Sequence, residues 1–176
     1  MIGLGREKFR FCPLCATLLQ TKTEEGIKRG YCPKCGFVHY LNPAPGAAVI
    51  IEEKGKVLLV RRKFDPWKGL WQCPAGFIEW NETPQEAAIR ETEEEAGVKV
   101  KLIGIFDIRL ITEDPRENIV IIFFKGEIVE GVPRPGDDAE EVAWFPLDNL
   151  PKFGSRQHKI VLEKLKGELK DAKIKA

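Results

Sequence analysis

Long apolar runs are missing from this sequence: none approaches the roughly 20 consecutive apolar residues that span a bilayer, so no membrane-spanning helix is expected. Met1 to Arg10 has no apolar core followed by small residues, so no secretory signal is read there and a cytoplasmic address is expected. Low-complexity tracts are few and no internal repeat is visible, which is the pattern of a soluble globular protein and sets aside repeat arrays. Net charge is also scarce. At +1, the balance does not point to nucleic acid as a partner of the whole chain. Methionine occurs once while Lys and Glu abound, which leans toward a thermophilic source.

What is present is 176 residues at 43% hydrophobic content, enough for one ordinary domain with its own core and a small module beside it. Charge is distributed unevenly between the two. From Met1 to Pro45, Arg6, Lys8, Arg10, Lys22, Lys28, Arg29 and Lys34 stand against Glu7, Glu24 and Glu25, a net of +4, which leaves the remainder at −3. A basic module beside an acidic domain is compatible with an anionic partner, although patches this small are usually solvated surface.

Four of the five cysteines fall in the basic module, as Cys12-Pro-Leu-Cys15 and Cys32-Pro-Lys-Cys35. Two Cys-x-x-Cys pairs at this separation match a four-cysteine Zn2+ site, since each turn presents two thiolates to one face of a tetrahedral ion. Leu18 to Thr23 and Ile27 to Tyr31 read as a hairpin around Glu24-Glu25-Gly26, making a zinc ribbon. Two disulfides are the competing use of four cysteines; a reducing compartment disfavours them, and a segment this short cannot hold together by apolar burial alone. Four thiolates leave no open position for water, so the zinc is expected to be structural. His39 reads as a packing residue rather than a further ligand, and Cys73, in the apolar run Leu70 to Phe77, as buried filler.

Leu41-Asn-Pro-Ala-Pro-Gly46 is expected to be a linker stiffened by Pro43 and Pro45. Beyond it, Ala47 to Glu52 and Lys56 to Arg62 read as strands joined by a hairpin at Glu53-Lys-Gly55, and Phe64 to Trp71 as a loop with two tryptophans. Further strands are expected at Val98 to Ile103, Phe106 to Ile111, Ile119 to Val129 and around Val142 to Phe145, with a polar loop over Thr112 to Asn118. Ser155 is placed to cap a last helix whose apolar stripe is Ile160, Val161, Leu162, Leu165 and Leu169. Strands between two helices imply an α/β fold, a mixed sheet sandwiched by helices.

The centre of the chain is Gly76 to Val98, a glycine loop running into an acidic helix. Thr83 with Glu86 makes a capping box, Pro84 suits the first helical position, and Gly97 suits the left-handed stop. Residues three and four apart are neighbours on a helix, so Glu91, Glu94 and Glu95 converge on one side. Such a run is commonly a solvated face. The alternative is that a divalent cation relieves the repulsion, since carboxylates are hard ligands suited to Mg2+ or Mn2+. Arg90 and Glu82 add an expected ion pair between helix and loop.

Gly76, Glu82, Arg90-Glu91, Glu94-Glu95 and Gly97-Val98, at these spacings, resemble the signature box of the Nudix hydrolases, which cleave nucleoside diphosphates linked to another moiety. The one departure is Thr92, where the family usually has an aliphatic residue. The resemblance implies an α/β/α sandwich and a domain order of zinc ribbon over 1–40, linker over 41–46 and Nudix domain over 47–176. It implies Glu91, Glu94, Glu95 and the Ala75 backbone carbonyl as ligands of catalytic Mg2+ (or Mn2+), and the pair of Arg90 with Glu82 as what orients the helix. Glu79 adds an outer contact, and Glu141, three residues before Trp144 in the acidic stretch that begins at Asp137, resembles a further ligand or general base. Arg61, Arg62 and Lys68 are candidate phosphate contacts, and Trp67, Trp71 and Phe106 candidate stacking partners for adenine, although lone bases are as often salt-bridge partners and aromatics more often core.

A ribbon ahead of a Nudix domain is similar to the arrangement in NADH pyrophosphatases and in relatives that cleave ADP-ribose or FAD. The Ser-Gln-Pro motif of the NADH enzymes is replaced here by Phe106-Asp-Ile-Arg-Leu. The expected function is therefore a metal-dependent pyrophosphohydrolase of an ADP-ribose, FAD or NAD(H) type nucleotide, releasing AMP and a phosphate ester. The alternatives are a nucleoside triphosphate pyrophosphatase that cleanses damaged nucleotides, and a non-catalytic nucleotide sensor or RNA-associated module. The partner is a small-molecule nucleotide, and a homodimer is expected on family analogy alone.

Overall fold

The computed structural model describes residues 9–136 and 138–175; residues 1–8 of the expected ribbon and Asp137 of the acidic stretch lie outside the described residues. Contacts along the chain fall into two units, the first ending at Pro43 and the second beginning at Ala44.

In the first unit β1 (Gln20–Glu24) and β2 (Ile27–Tyr31) pair antiparallel across Glu25 and Gly26. Both turn residues have positive φ, 49° and 79°, the left-handed pair that matches strand twist in a two-residue hairpin. A third strand, β3 (Val38–His39), joins β2. At two residues it is too short for any alternation to announce it. The loops ahead of β1 and β3 fold alike. In one, Cys12 N–H donates to the Thr17 carbonyl and Ala16 N–H to the Cys12 carbonyl; in the other, Cys32 N–H donates to Phe37 and Gly36 N–H to Cys32.

The second unit holds β4 (Ala44–Glu53), β5 (Lys56–Arg62), β6 (Trp71–Gln72), β7 (Ala75–Phe77), α1 (Pro84–Ala96), β8 (Lys99–Ile111), β9 (Ile119–Glu130), β10 (Ala139–Pro146) and α2 (Arg156–Lys175). The sheet runs β10-β5-β4-β9-β8, with β6 on β5 and β7 on β4. The β4–β9 pair is parallel and the others are antiparallel, so the sheet is mixed.

Ala47 to Ile51 is apolar at every position because both faces of β4 are covered. Ala48 and Ile50, with Val57 and Leu59 of β5, pack against Val161, Leu162 and Leu165 of α2. Ala47, Val49 and Ile51, with Leu58 and Val60, pack against Ala87, Ala88 and Ala96 of α1. The result is the expected α/β/α sandwich. Leu59 is wholly buried, and truncating such a residue to alanine costs about 2–5 kcal/mol.

Four local expectations are corrected. The strand after the linker begins at Ala44, because Ala44 to Gly46 already pair with Ile119 to Ile121; Pro45, second in the strand, sits at its start, where a missing donor is tolerated. The two strands expected between Val98 and Ile111 are one, β8, which shifts register around Gly104 and Ile105 and so stays paired with β9 throughout. The strand around Val142 extends to Ala139–Pro146. Ile160 leaves the apolar stripe of α2 and is exposed, while Val161, Leu162 and Leu165 are buried. Among the described residues no helix is long and apolar enough to cross a membrane.

Candidate active site

The box helix is fixed at both ends by its own residues. Thr83 accepts from Glu86 N–H and the Glu86 carboxylate accepts from Thr83 N–H at 2.8 Å, closing the capping box, while Gly97 at φ 67° ends the helix. Thr92, at the atypical position, is fully buried and donates its hydroxyl to the Ala88 carbonyl at 2.7 Å. A polar side chain is thereby satisfied inside the helix, and its methyl packs where an aliphatic residue would.

Arg90 fastens the preceding loop to this helix. It donates to both oxygens of Glu82, at 2.6 and 3.0 Å, to the Phe77 carbonyl at 3.1 Å, to Glu91 at 2.8 Å and to Glu94 at 2.9 Å. Glu82 also accepts from Glu79 N–H. The Arg90 hydrogen bond, followed by that backbone donor, holds the Glu82 carboxyl down at about 2.

The three helix carboxylates do not form one cluster. Glu91 and Glu94 meet on Arg90, whereas Glu95 turns inward, where its Oε2 accepts from Ala75 N–H at 2.9 Å and its Oε1 lies 3.5 Å from Gln72 Nε2. That same Gln72 nitrogen lies 3.5 Å from the Ala75 carbonyl oxygen, so one amide bridges both. Glu95 is only 6% exposed, and burial pushes its carboxyl up to about 8. Burial also raises Glu91, against the pull of Arg90. The Glu91 carboxylate occupies the space a side chain at Gly76 would fill: a Cβ there would lie 2.0 Å from its carboxyl carbon.

Past the loop that leads into this helix opens a shallow cleft lined by Gly46, Arg62, Trp67, Gln72, Ala75, Gly76, Phe77, Asp114, Arg116 and His158, among others. Arg62 donates to the Pro66 carbonyl at 2.7 Å and to Gln72 Oε1 at 3.2 Å. Its burial lowers its pKa, with the Glu95 charge opposing that shift. Both bonded acceptors are neutral, which leaves its positive charge available to an anion in the cleft.

A family model described as NUDIX domain matches residues 41–165. The ADP-ribose pyrophosphatase of Methanocaldococcus jannaschii is 42% identical over 125 residues, covering 69% of this chain and 73% of that protein. The chain belongs to the NUDIX family. The NAD-capped RNA hydrolase NudC of Pseudomonas aeruginosa is 33% identical over 159 residues, covering 89% of this chain and 54% of that protein, so the chain spans about half the length of that relative. Among solved structures, a NUDIX hydrolase from Nitrosomonas europaea superposes with a TM-score of 0.76 at 32% identity, covering 88% of each chain.

Around the Nudix box the other candidates are placed unevenly. Glu141 pairs with Arg61 at 3.0 Å, with Glu140 3.5 Å from the same arginine, so both acids are salt-bridge partners on the β5–β10 ladder. Lys68 and Glu79 are exposed. Of the three aromatic candidates only Trp67 lines the cleft. Trp71 packs edge-on against Phe145 at 4.6 Å, and Phe106 lies under Lys125 and Lys164.

Sequence reasoning missed three cleft residues. Arg116 pairs with the buried Asp114 at 2.9 Å and lies 5.7 Å from the Phe77 ring centroid; an Asp-x-Arg turn inside a polar loop was the only signal. His158 on α2 accepts from Cys73 N–H at 3.2 Å, and burial lowers its pKa to about 3, so it is a neutral, structural histidine. Cys73 is the inert filler expected, its thiol raised to about 12 by burial.

In the first unit, Cys12, Cys15, Cys32 and Cys35 form the only group of metal-ligating side chains among the described residues whose ligand atoms all lie within 4.8 Å of one another. All four are free thiols, with sulfur separations of 3.5 Å (Cys12 to Cys35), 3.4 Å (Cys15 to Cys32) and 3.6 Å (Cys15 to Cys35). Tetrahedral thiolates at the usual zinc–sulfur length stand about 3.8 Å apart, so the group fits zinc. Thr17 hydrogen bonds lower the Cys15 thiol to about 6, favouring the thiolate a metal needs, whereas at Cys35 the Phe37 backbone hydrogen bond is outweighed by burial and the other three thiols, which raise the thiol to about 12.

Proposed function

We propose that this Nudix protein hydrolyses the pyrophosphate bridge of a nucleoside diphosphate linked to another moiety, of the ADP-ribose, FAD or NAD(H) type, giving AMP and a second phosphate ester. The observation that carries the reading is the buried Glu95 carboxylate held against Gln72 and Ala75, two residues of a cleft whose wall also holds a cation, Arg62, bonded only to neutral acceptors. The similarity to a protein described as an ADP-ribose pyrophosphatase supports the substrate class.

Glu91, Glu94, Glu95 and the Ala75 carbonyl would hold magnesium or manganese, which would have to draw Glu91 and Glu94 off Arg90 toward Glu95. The fit rests on three features of the chain. The donors are hard oxygens, Gly76 leaves room for the Glu91 carboxylate, and Glu95 is buried with neutral hydrogen-bond donors only, a charge that a cation would compensate. Bound there, the ion supplies charge neutralisation at the phosphates and acidification of water.

The chain's own residues set the geometry. Ala75 N–H and Gln72 fix the Glu95 carboxylate, and Arg90, by clamping Glu82 and the Phe77 carbonyl, keeps the loop from drifting off the helix. Arg62 meets the phosphate oxygens from the cleft wall. A water oxygen then bonds to one phosphorus, the bridging P–O bond breaks, and the second phosphate leaves with the bridging oxygen. As general base Glu141 would take the proton from that water, in competition with its ion pair to Arg61. In the amino-terminal ribbon, zinc on the four cysteines is structural, since four thiolates close the coordination sphere.

Product analysis with magnesium against ADP-ribose, FAD, NADH and nucleoside triphosphates tests the reading. AMP from one of the first three is expected. Monophosphate plus pyrophosphate from the triphosphates alone would replace it with a housecleaning triphosphatase, and silence across the panel would reduce the protein to a sensor.

A further inference from the structure

A row of cation–ring pairs in the amino-terminal unit serves neither the four-cysteine group nor the box. In the β1–β2 register Lys22 lies opposite Arg29 and Gln20 opposite Tyr31, so Lys22, Arg29 and Tyr31 share one face of the hairpin. The Arg29 guanidinium lies 4.6 Å from the Tyr40 ring centroid, and the Lys22 ammonium 5.6 Å from that of Tyr31. Like charges set directly opposite on an antiparallel pair destabilise it. Glu24 relieves Lys22, at 2.7 Å; among the described residues no carboxylate lies within ion-pair distance of Arg29, whose partner is the Tyr40 ring. Tyr40 is 55% exposed. Over residues 9–43, Arg10, Lys22, Lys28, Arg29 and Lys34 stand against Glu24 and Glu25, a net of +3.

We propose that this face binds single-stranded nucleic acid, with phosphates on Lys22 and Arg29 and bases stacked on Tyr40 and Tyr31. A phosphate between the two opposed bases removes their repulsion. Flat rings beside each cation match the alternation of charge and π-face along a single strand, which an acidic peptide offers only in charge. The Tyr31 hydroxyl, donating to Gln20 Oε1 at 2.8 Å, fixes that ring in place. The near-neutral whole-chain charge hides the patch because the acidic second unit cancels it. The inference is independent of the hydrolytic reading.

Fluorescence anisotropy of the full chain with a labelled uridylate 12-mer, between 50 and 200 mM salt, tests it. Expected is binding that weakens steeply with salt, and a log–log slope that drops by about 0.7 when Arg29→Gln removes one phosphate contact. Tyr40→Ala should weaken binding about tenfold while Tyr40→Phe, which keeps the ring, binds as the wild type does. Zinc content, measured alongside, should stay the same in all three. Absence of binding in the wild type, equal affinity in Tyr40→Ala, or equal affinity for an oligoglutamate of the same charge would each overturn the proposal.

Discussion

Replacing Glu95 by glutamine should stabilise the metal-free protein while removing hydrolysis. The ordinary carboxyl value is 4.5 and burial raises that of Glu95 to about 8. Between those values the unfolded chain has released its proton and the folded chain retains it, so stability falls as pH rises across the window and levels off above about 8. At about 1.4 kcal/mol per unit the loss is roughly 3 kcal/mol by pH 7 and about 5 kcal/mol by pH 8. Glutamine keeps an oxygen for Ala75 N–H, fills nearly the same volume and carries no charge to desolvate. In magnesium-free buffer at pH 8, with zinc retained, Glu95→Gln should therefore melt higher than the wild type by on the order of 10 °C. The gap should close toward pH 5, and magnesium should raise the melting temperature of the wild type far more than that of the variant. Thermal denaturation over pH 5 to 9, with and without magnesium, reads all three. If Glu95→Gln melts at or below the wild type at pH 8 without magnesium, Glu95 is not an uncompensated buried charge and the reasoning fails; full turnover in the variant would equally remove it from the metal site.

Gly76→Ala places a Cβ 2.0 Å from the Glu91 carboxyl carbon; because that is the far end of a flexible side chain, the fold should survive while turnover drops about 100-fold, which paired melting and kinetic measurements check. Arg90→Lys cannot span Glu82, Glu91, Glu94 and the Phe77 carbonyl at once, so kcat/KM should fall while circular dichroism stays unchanged. Cys32→Ser should release zinc and loosen the first unit, with elemental analysis as the readout; undiminished zinc would rule out the four-cysteine site.

The ends of α1, the two knuckles and both hairpin turns lay open in the sequence because each is decided within a few residues. Thr83, Glu86, Pro84 and Gly97 act inside one helical turn, and Lys54-Gly55, at φ 52° and 78°, is a turn made by its own two residues. The clamp of Arg90 on Glu82 was legible for the same reason, eight residues apart on one loop and helix. What the chain pattern misread was continuity. Val98 to Ile103 and Phe106 to Ile111 read as two strands, but pairing with β9 carries β8 through Gly104 and Ile105, since a bulge costs less than abandoning the ladder.

The sequence by itself determined the α/β/α sandwich, the capped acidic helix and the clustering of four cysteines, because periodicity and spacing record which groups are neighbours along the chain. Only the tertiary structure decided that Glu95 turns inward while Glu94 stays on Arg90, that Glu141 is tied to Arg61, and that Gly46, Arg62, Arg116 and His158 share one cleft. Those placements depend on strand order and register across more than a hundred residues. Long-range pairing is selected by the burial of whole faces, and no local spacing records it.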